Sequence, residues 1–119
     1  MTSRGTTPDG TTLSTHVLDA STGRPAAGVG ILLDRRTADG TWARSETGAT
    51  DQDGRLRLAG PFGAGVFRIT FASGDYFAAR GVTTFYPEVV VTFEVTAETE
   101  HYHVPLLLSP FAYSTYRGS

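Results

Sequence analysis

Hydrophobic and polar residues alternate along much of this chain, which is the pattern of strands that bury one face. Residues 66–72, VFRITFA, place Phe67, Ile69 and Phe71 on one face, with polar residues between them. Residues 89–97, VVVTFEVTA, alternate with the same period. Turn signals rich in Gly, Asp and Pro separate these segments. Several short strands divided in this way predict an all-β sandwich.

The same pattern gives a count of about eight strands, the last of them short. Residues 73–81, SGDYFAARG, predict the one helix, with Ser73 or Asp75 as its N-cap and Gly81 at its end. The expected fold is therefore a two-sheet sandwich with one short helix. The predicted strands lie at residues 13–20, 28–36, 41–49, 55–60, 66–72, 89–97, 101–110 and 112–119.

Composition fits one globular domain, since the 119 residues are 39% hydrophobic and 18% charged. Residues 1–12, rich in Thr, Gly and Ser, read as a flexible lead-in, and residues 13–119 as the domain. The net charge of −2 gives no electrostatic signature of nucleic-acid binding, and no basic amphipathic stretch suggests a membrane partner. Cysteine is absent, which excludes thiol chemistry. Residues 1–12 lack the apolar stretch of a secretory signal, so we expect a cytoplasmic protein.

Three histidines are the first candidates for chemistry. His101 and His103 share one face of a predicted strand, and the more apolar face carries Val104 and Leu106. His16 lies within the first predicted strand. The ordinary interpretation is a set of solvent-facing histidines. A His-x-His pair with one distant His also fits a three-histidine zinc site, although this spacing is permissive.

Arg55 and the C-terminal residues are the second set of candidates. Arg55 follows the turn DQDG and so begins a strand at the rim of the sandwich, a common place for binding groups. Tyr116, Arg117 and Ser119 add hydrogen-bonding groups close to the end of the sequence. Taken singly, each of these residues is equally well explained as a solvated side chain.

Taken together, four segments resemble the 5-hydroxyisourate hydrolases, the transthyretin-related enzymes of urate degradation. The YRGS at residues 116–119 is the most specific mark of the resemblance. Transthyretin bears a lysine where this chain has His16 and a threonine where it has His103, and it lacks YRGS, so the resemblance favours a hydrolase over a hormone carrier. The four segments are LSTHVLDASTGRPAAGV, TDQDGR, FYPEVVVTF and HYHVPLLLSPFAYSTYRGS.

The resemblance implies a transthyretin-like sandwich that assembles as a homotetramer, with active sites in the channel between dimers and no metal or other cofactor. It implies that water opens 5-hydroxyisourate at a ring acyl–nitrogen bond, which yields 2-oxo-4-hydroxy-4-carboxy-5-ureidoimidazoline. The implied catalytic residues are His16, Arg55, His103 and Ser119. Substrate binding is expected of His16, Arg55, Tyr116 and Arg117.

These residue types suit that reaction. The leaving nitrogen belongs to a urea-like unit that spreads negative charge, so a covalent nucleophile is unnecessary. A histidine with a pKa of about 6.5 can take a proton from water at neutral pH, and the planar fork of Arg55 matches adjacent carbonyl oxygens. Whether His16 or His103 is the base stays open. A transthyretin-type carrier, a zinc hydrolase and a purely structural module remain alternatives.

Overall fold

A computed structural model describes residues 11–96 and 101–118 of the chain. Ser119 and the first ten residues of the predicted lead-in lie outside the described residues. The elements, in chain order, are β1 (Thr11–Asp19), β2 (Arg24–Pro25), β3 (Gly30–Arg36), β4 (Trp42–Ala49), β5 (Arg55–Phe62), β6 (Gly65–Phe71), α1 (Ser73–Ala78), β7 (Val89–Val95), β8 (His101–Ser109) and β9 (Ala112–Thr115).

Two sheets share these strands. The first sheet runs β2-β1-β8-β9, with β5 also paired to β1, and the second runs β4-β3-β6-β7. β1 is parallel to β8 and antiparallel to β5. Because β1 lies between β5 and β8, it brings together side chains that are far apart in the sequence.

Alternating burial along the strands builds one core between the sheets. Every second residue of β1 is buried, beginning with Thr11 and Leu13. The predicted face of β6 is buried as expected, with Phe67, Ile69 and Phe71 at most 1% exposed. The all-β sandwich predicted from the sequence is therefore confirmed. The most fully buried large side chains are Phe67, Phe71, Phe77, Leu13, Ile31, Leu33, Leu58, Ile69, Leu106, Leu108, Val17 and Val29.

Some predicted boundaries differ from the structure. β1 begins at Thr11, two residues inside the predicted lead-in, and the short strand β2 was not predicted. Neither Ser73 nor Asp75 caps α1, since the N-cap position is Ala72 and no side chain caps it. The reason is tertiary: the hydroxyl of Ser73 points to the carbonyl oxygen of Tyr86, at 3.4 Å.

The helix α1 is six residues long. In residues 11–96 and 101–118, no helix has the length and apolar composition needed to cross a membrane.

A buried hydrogen bond fastens α1 to the end of β1. The hydroxyl of Tyr76 donates to Oδ2 of Asp19 at 2.8 Å, and the amide and hydroxyl of Ser21 donate to Oδ1 of the same carboxylate. Burial and the Asp19 carboxylate raise the pKa of Tyr76 to about 12, so the phenol remains a donor at physiological pH. Asp19 thus connects the turn that follows β1 to the helix α1.

Replacing Tyr76 with Phe should remove one donor from a carboxylate that is only 1% exposed. An unsatisfied buried acceptor costs about 1–3 kcal/mol, so we expect the free energy of unfolding in urea to fall by that amount. The matched control is Tyr113→Phe, at a position 42% exposed, which should change stability by less than about 0.5 kcal/mol. Equal stability of the two variants would contradict the role assigned to this bond.

Candidate active site

Three strands of the first sheet carry three of the predicted site residues, His16, Arg55 and His103, on one outward face. Across β1, Ser14 pairs with Arg57 of β5 on one side and His103 of β8 on the other. One row further along, His16 pairs with Arg55. Because directly paired residues point to the same face of a sheet, the structure places His16, Arg55 and His103 on one outward face.

A cleft of about 410 Å³ opens on this face. Its walls carry cationic and hydroxyl groups, and none of the described residues that line it is a carboxylate. Positive charge beside low-dielectric walls favours a polar or anionic ligand, and guanidinium groups match the paired oxygens of a flat ring. The lining residues are Ser14, Thr15, Arg55, Leu56, Arg57, His101 and His103.

The turn before β5 fixes the position of Arg55. Oδ1 of Asp51 accepts hydrogen bonds from the backbone amides of Asp53 at 2.8 Å and Arg55 at 3.0 Å. Gly54 has a φ of +75°, and its carbonyl accepts from the amide of Val17 at 2.7 Å. A Cβ at Gly54 would collide with the carbonyl of Val17. The DQDG turn is therefore held against β1 directly beside His16.

The surroundings of His103 favour its neutral form. It is half-buried, and burial is the largest of the effects that lower its pKa below the ordinary value. The positive charges of His101, His16 and Arg55 act in the same direction. A neutral imidazole can accept a proton, so this environment suits a general base.

Two hydroxyls on β1 hold the histidine pair. Oγ of Ser14 lies 2.8 Å from Nδ1 of His103 and 3.2 Å from Nε2 of His101. Oγ1 of Thr12 lies 2.5 Å from Nδ1 of His101. The sequence analysis singled out neither residue. The available signal was the two-residue period that puts Thr12 and Ser14 on the same face of β1 as His16.

The C-terminal segment packs against His103. The amide of Gly118 donates to the carbonyl of His103 at 2.9 Å. A Cβ at Gly118 would lie 2.5 Å from Cδ2 of the His103 ring, so the glycine of YRGS is required by this close approach. Ser119, predicted to be catalytic, lies outside the described residues.

Tyr116 and Arg117 do not line the cleft. They border a second cavity of about 260 Å³ between β7 and β8, which also touches His103. The guanidinium of Arg117 lies 4.9 Å from the ring centroid of Tyr102, a residue that is only 5% exposed on the core side of β8. Arg55 and His103 therefore line the first cleft, Tyr116 and Arg117 border the second cavity, and His103 touches both. His16 is not among the residues that line either one.

The three histidines do not form a metal site in this structure. Among residues 11–96 and 101–118, no group of three or more His, Cys, Asp or Glu side chains is arranged to hold a metal ion.

Comparison with known proteins agrees with this architecture. The profile of the HIUase/Transthyretin family matches residues 13–118. The 5-hydroxyisourate hydrolase of Salmonella dublin is 48% identical over 110 residues, which cover 90% of this chain and 80% of that protein. Transthyretin from Sparus aurata superposes with a TM-score of 0.85 at 37% identity, covering 89% of this chain and 95% of that one. The 5-hydroxyisourate hydrolase of Klebsiella pneumoniae superposes with a TM-score of 0.82 at 36% identity, covering 92% of this chain and 99% of that one.

The two sheets and their strand order define a transthyretin-like β-sandwich. On the family match and the identity to its curated members, the chain belongs to the HIUase/transthyretin family.

Replacing Gly118 with Ala should displace either the C-terminal segment or the His103 ring, because the new methyl group would overlap the ring. We expect large changes in the ring resonances of His103 in NMR spectra. The matched control is Gly30→Ala, whose Cβ would meet its nearest neighbour, Ala72, at an ordinary 3.4 Å. Unchanged His103 resonances in Gly118→Ala would contradict the packing described here.

Proposed function

We propose that this protein hydrolyses 5-hydroxyisourate in purine degradation. The observation that carries the proposal is the placement of His16, Arg55 and His103 in successive rows on one face of β1, β5 and β8, beside a cationic cleft. The family and its hydrolase members support the same reaction. The product we propose is 2-oxo-4-hydroxy-4-carboxy-5-ureidoimidazoline.

In the proposed mechanism His103 is the general base. Its lowered pKa supports this role, as does its place in the cleft wall. Nε2 takes a proton from water while the oxygen attacks the ring acyl carbon. The acyl–nitrogen bond then breaks, and its electron pair stays on the ring nitrogen, which takes up a proton. General-base assistance of this kind is typically worth about 10²–10⁴ in rate.

In this mechanism Arg55 and His16 contact the substrate. Arg55 stabilises the negative charge that develops on the carbonyl oxygen, a contribution typically worth about 10²–10³. His16 holds the ring or protonates the leaving nitrogen, since its strand pairing places it directly beside Arg55. Roles for Ser119 in orienting water, and for Tyr116 and Arg117 in binding substrate, stay predictions.

We also propose that the protein is a homotetramer with its active sites between dimers. Apolar side chains exposed on the described chain support an assembly: Phe85 is 71% exposed and Phe111 66%. Leu107 is 37% exposed, and it pairs with Leu18 on the same outward face as His16. A partner that covers this face would close the cleft. The cytoplasmic location stays a prediction.

The activity is tested by generating 5-hydroxyisourate with urate oxidase and following its ultraviolet decay. We expect the protein to accelerate the decay, with or without a chelator. Decay at the uncatalysed rate would overturn the proposal and leave a transthyretin-type carrier as the alternative. Loss of rate on chelation would instead favour a zinc-dependent reaction.

In the same assay, His103→Asn should lower turnover at least about 10²-fold, because the base is lost. Arg24→Gln, at an exposed position on β2, serves as the control and should keep the full rate. A nearly unchanged rate in His103→Asn would remove this residue from the role of base.

Assembly is tested by sedimentation velocity. We expect a species of four 12.7 kDa chains, and Leu107→Glu should reduce it to dimers by placing a charge on the face between dimers. Ala43→Glu, on the exposed part of β4 in the second sheet, is the control and should leave the tetramer intact. A wild-type monomer at assay concentration would contradict the proposed assembly.

A further inference from the structure

One hydroxyl group connects the two histidines of β8. Oγ of Ser14 lies within hydrogen-bond distance of Nδ1 of His103, at 2.8 Å, and of Nε2 of His101, at 3.2 Å. A further hydrogen bond links His101 to Thr12, whose Oγ1 is 2.5 Å from Nδ1 of His101. Parallel pairing of β1 and β8 produces this arrangement, since Thr12 lies opposite His101 and Ser14 opposite His103.

A serine hydroxyl has only one proton to donate. Ser14 can therefore donate to one histidine only and must accept from the other. Each neutral imidazole carries one N–H, so the direction of the Ser14 bond also fixes which nitrogen of each ring is protonated. The two rings and the hydroxyl therefore form a series of hydrogen bonds, and its donors and acceptors can be arranged in two opposite directions.

In the first direction, Nδ1–H of His103 donates to Ser14, and Ser14 donates to Nε2 of His101. Nε2 of His103 then carries a lone pair. In the described part of the chain, Nε2 of His103 has no hydrogen-bond partner, so this lone pair is free for the cleft. The cationic groups of the cleft, Arg55 and Arg57, favour a lone pair at Nε2 of His103 over an N–H at the same atom.

In the second direction, Nε2–H of His101 donates to Ser14, and Ser14 donates to Nδ1 of His103. The proton of His103 is then on Nε2, and this nitrogen cannot accept another. A doubly protonated His101 must donate from both nitrogens, so protonation of His101 enforces the second direction. A doubly protonated His103 enforces the first direction for the same reason.

We propose that Ser14 is a positioning residue that makes the basicity of His103 depend on the protonation of His101. With His101 neutral, Ser14 selects the Nδ1–H tautomer of His103 and presents Nε2 as the base. With His101 protonated, the Ser14 bond reverses, and Nε2 of His103 is blocked. This inference rests on the proposed function in assigning the role of base to His103.

The exposures of the two rings suit this coupling. His101 is exposed to solvent and His103 is half-buried, so His101 can exchange protons with bulk water while His103 faces the reaction. Burial and neighbouring positive charges lower the pKa of His103. Among the described residues, the other charged or titratable groups around His103 are His16, Arg55 and Arg57 on the cleft side and Glu94, Tyr102, Tyr116 and Arg117 on the second cavity.

The coupling is tested by reading the tautomer of each histidine from long-range ¹H–¹⁵N NMR spectra through a pH titration. In the wild type we expect His103 as the Nδ1–H tautomer at high pH. We expect it to switch to Nε2–H in step with the protonation of His101. His103 keeping one tautomer while His101 titrates would overturn the proposal. This readout needs no substrate, so it stands apart from any failure of the proposed hydrolase activity.

Three variants of this chain separate coupling from simple packing. Ser14→Ala should let His103 revert to the Nε2–H tautomer that free histidine favours, independent of His101. Ser14→Thr keeps the hydroxyl and should restore wild-type behaviour. His101→Gln offers a non-titrating oxygen at the place of Nε2, so His103 should stay Nδ1–H until it is itself protonated. Unchanged tautomers in Ser14→Ala would overturn the proposal.

Kinetics give a second readout in an active preparation. Ser14→Ala should lower kcat about tenfold or more, as expected for losing a hydrogen bond to a group that becomes charged, with KM changed less than about twofold. Ser14→Thr should recover the rate. Ser45→Ala, a serine to alanine change on exposed β4, is the control and should match the wild type. Equal loss of kcat in Ser14→Ala and Ser14→Thr would show a packing role and overturn the proposal.

Discussion

The pairing of β1 with β5 on one side and β8 on the other determines the rest of this site. Strand register places Ser14 between Arg57 and His103, and His16 beside Arg55. Shifting either neighbour by one residue would turn its side chains to the core face. Gly54 holds β5 in place, because its carbonyl bonds the amide of Val17 and its missing Cβ allows that approach. Fold and site therefore depend on the same hydrogen bonds.

Electrostatics on this face follow from that register. Two arginines and two histidines line the cleft, and among the residues that the structure describes no carboxylate lines it with them. The positive charges of His101, His16 and Arg55 lower the pKa of His103 in addition to the effect of burial. It also suits a flat ring whose oxygens gain negative charge during hydrolysis. One arrangement of charges thus serves both the proposed base and the proposed stabilisation of the reacting oxygen.

Much of the fold was predictable from the sequence, because the pattern of buried and exposed positions is local. Two-residue alternation reveals which face of a strand is buried, so the core positions Phe67 and Ile69 were predicted correctly. Strand order is set by long-range pairing, so the parallel contact of β1 with β8 had no local signal. For the same reason the sequence did not indicate that Ser14 joins two histidines, or that Arg117 packs on Tyr102. The capping role expected of Ser73 was wrong because its hydroxyl is used in a tertiary contact.

The central claim is that the outward face of β5, β1 and β8 binds the substrate ring. A crystal structure with a stable oxopurine analogue such as urate tests it most directly. The account predicts the ring in the cleft, with its oxygens on the guanidinium of Arg55 and its edge within hydrogen-bond reach of Nε2 of His103. An analogue bound only in the second cavity beside Arg117, or bound with no contact to Arg55 and His103, would contradict it.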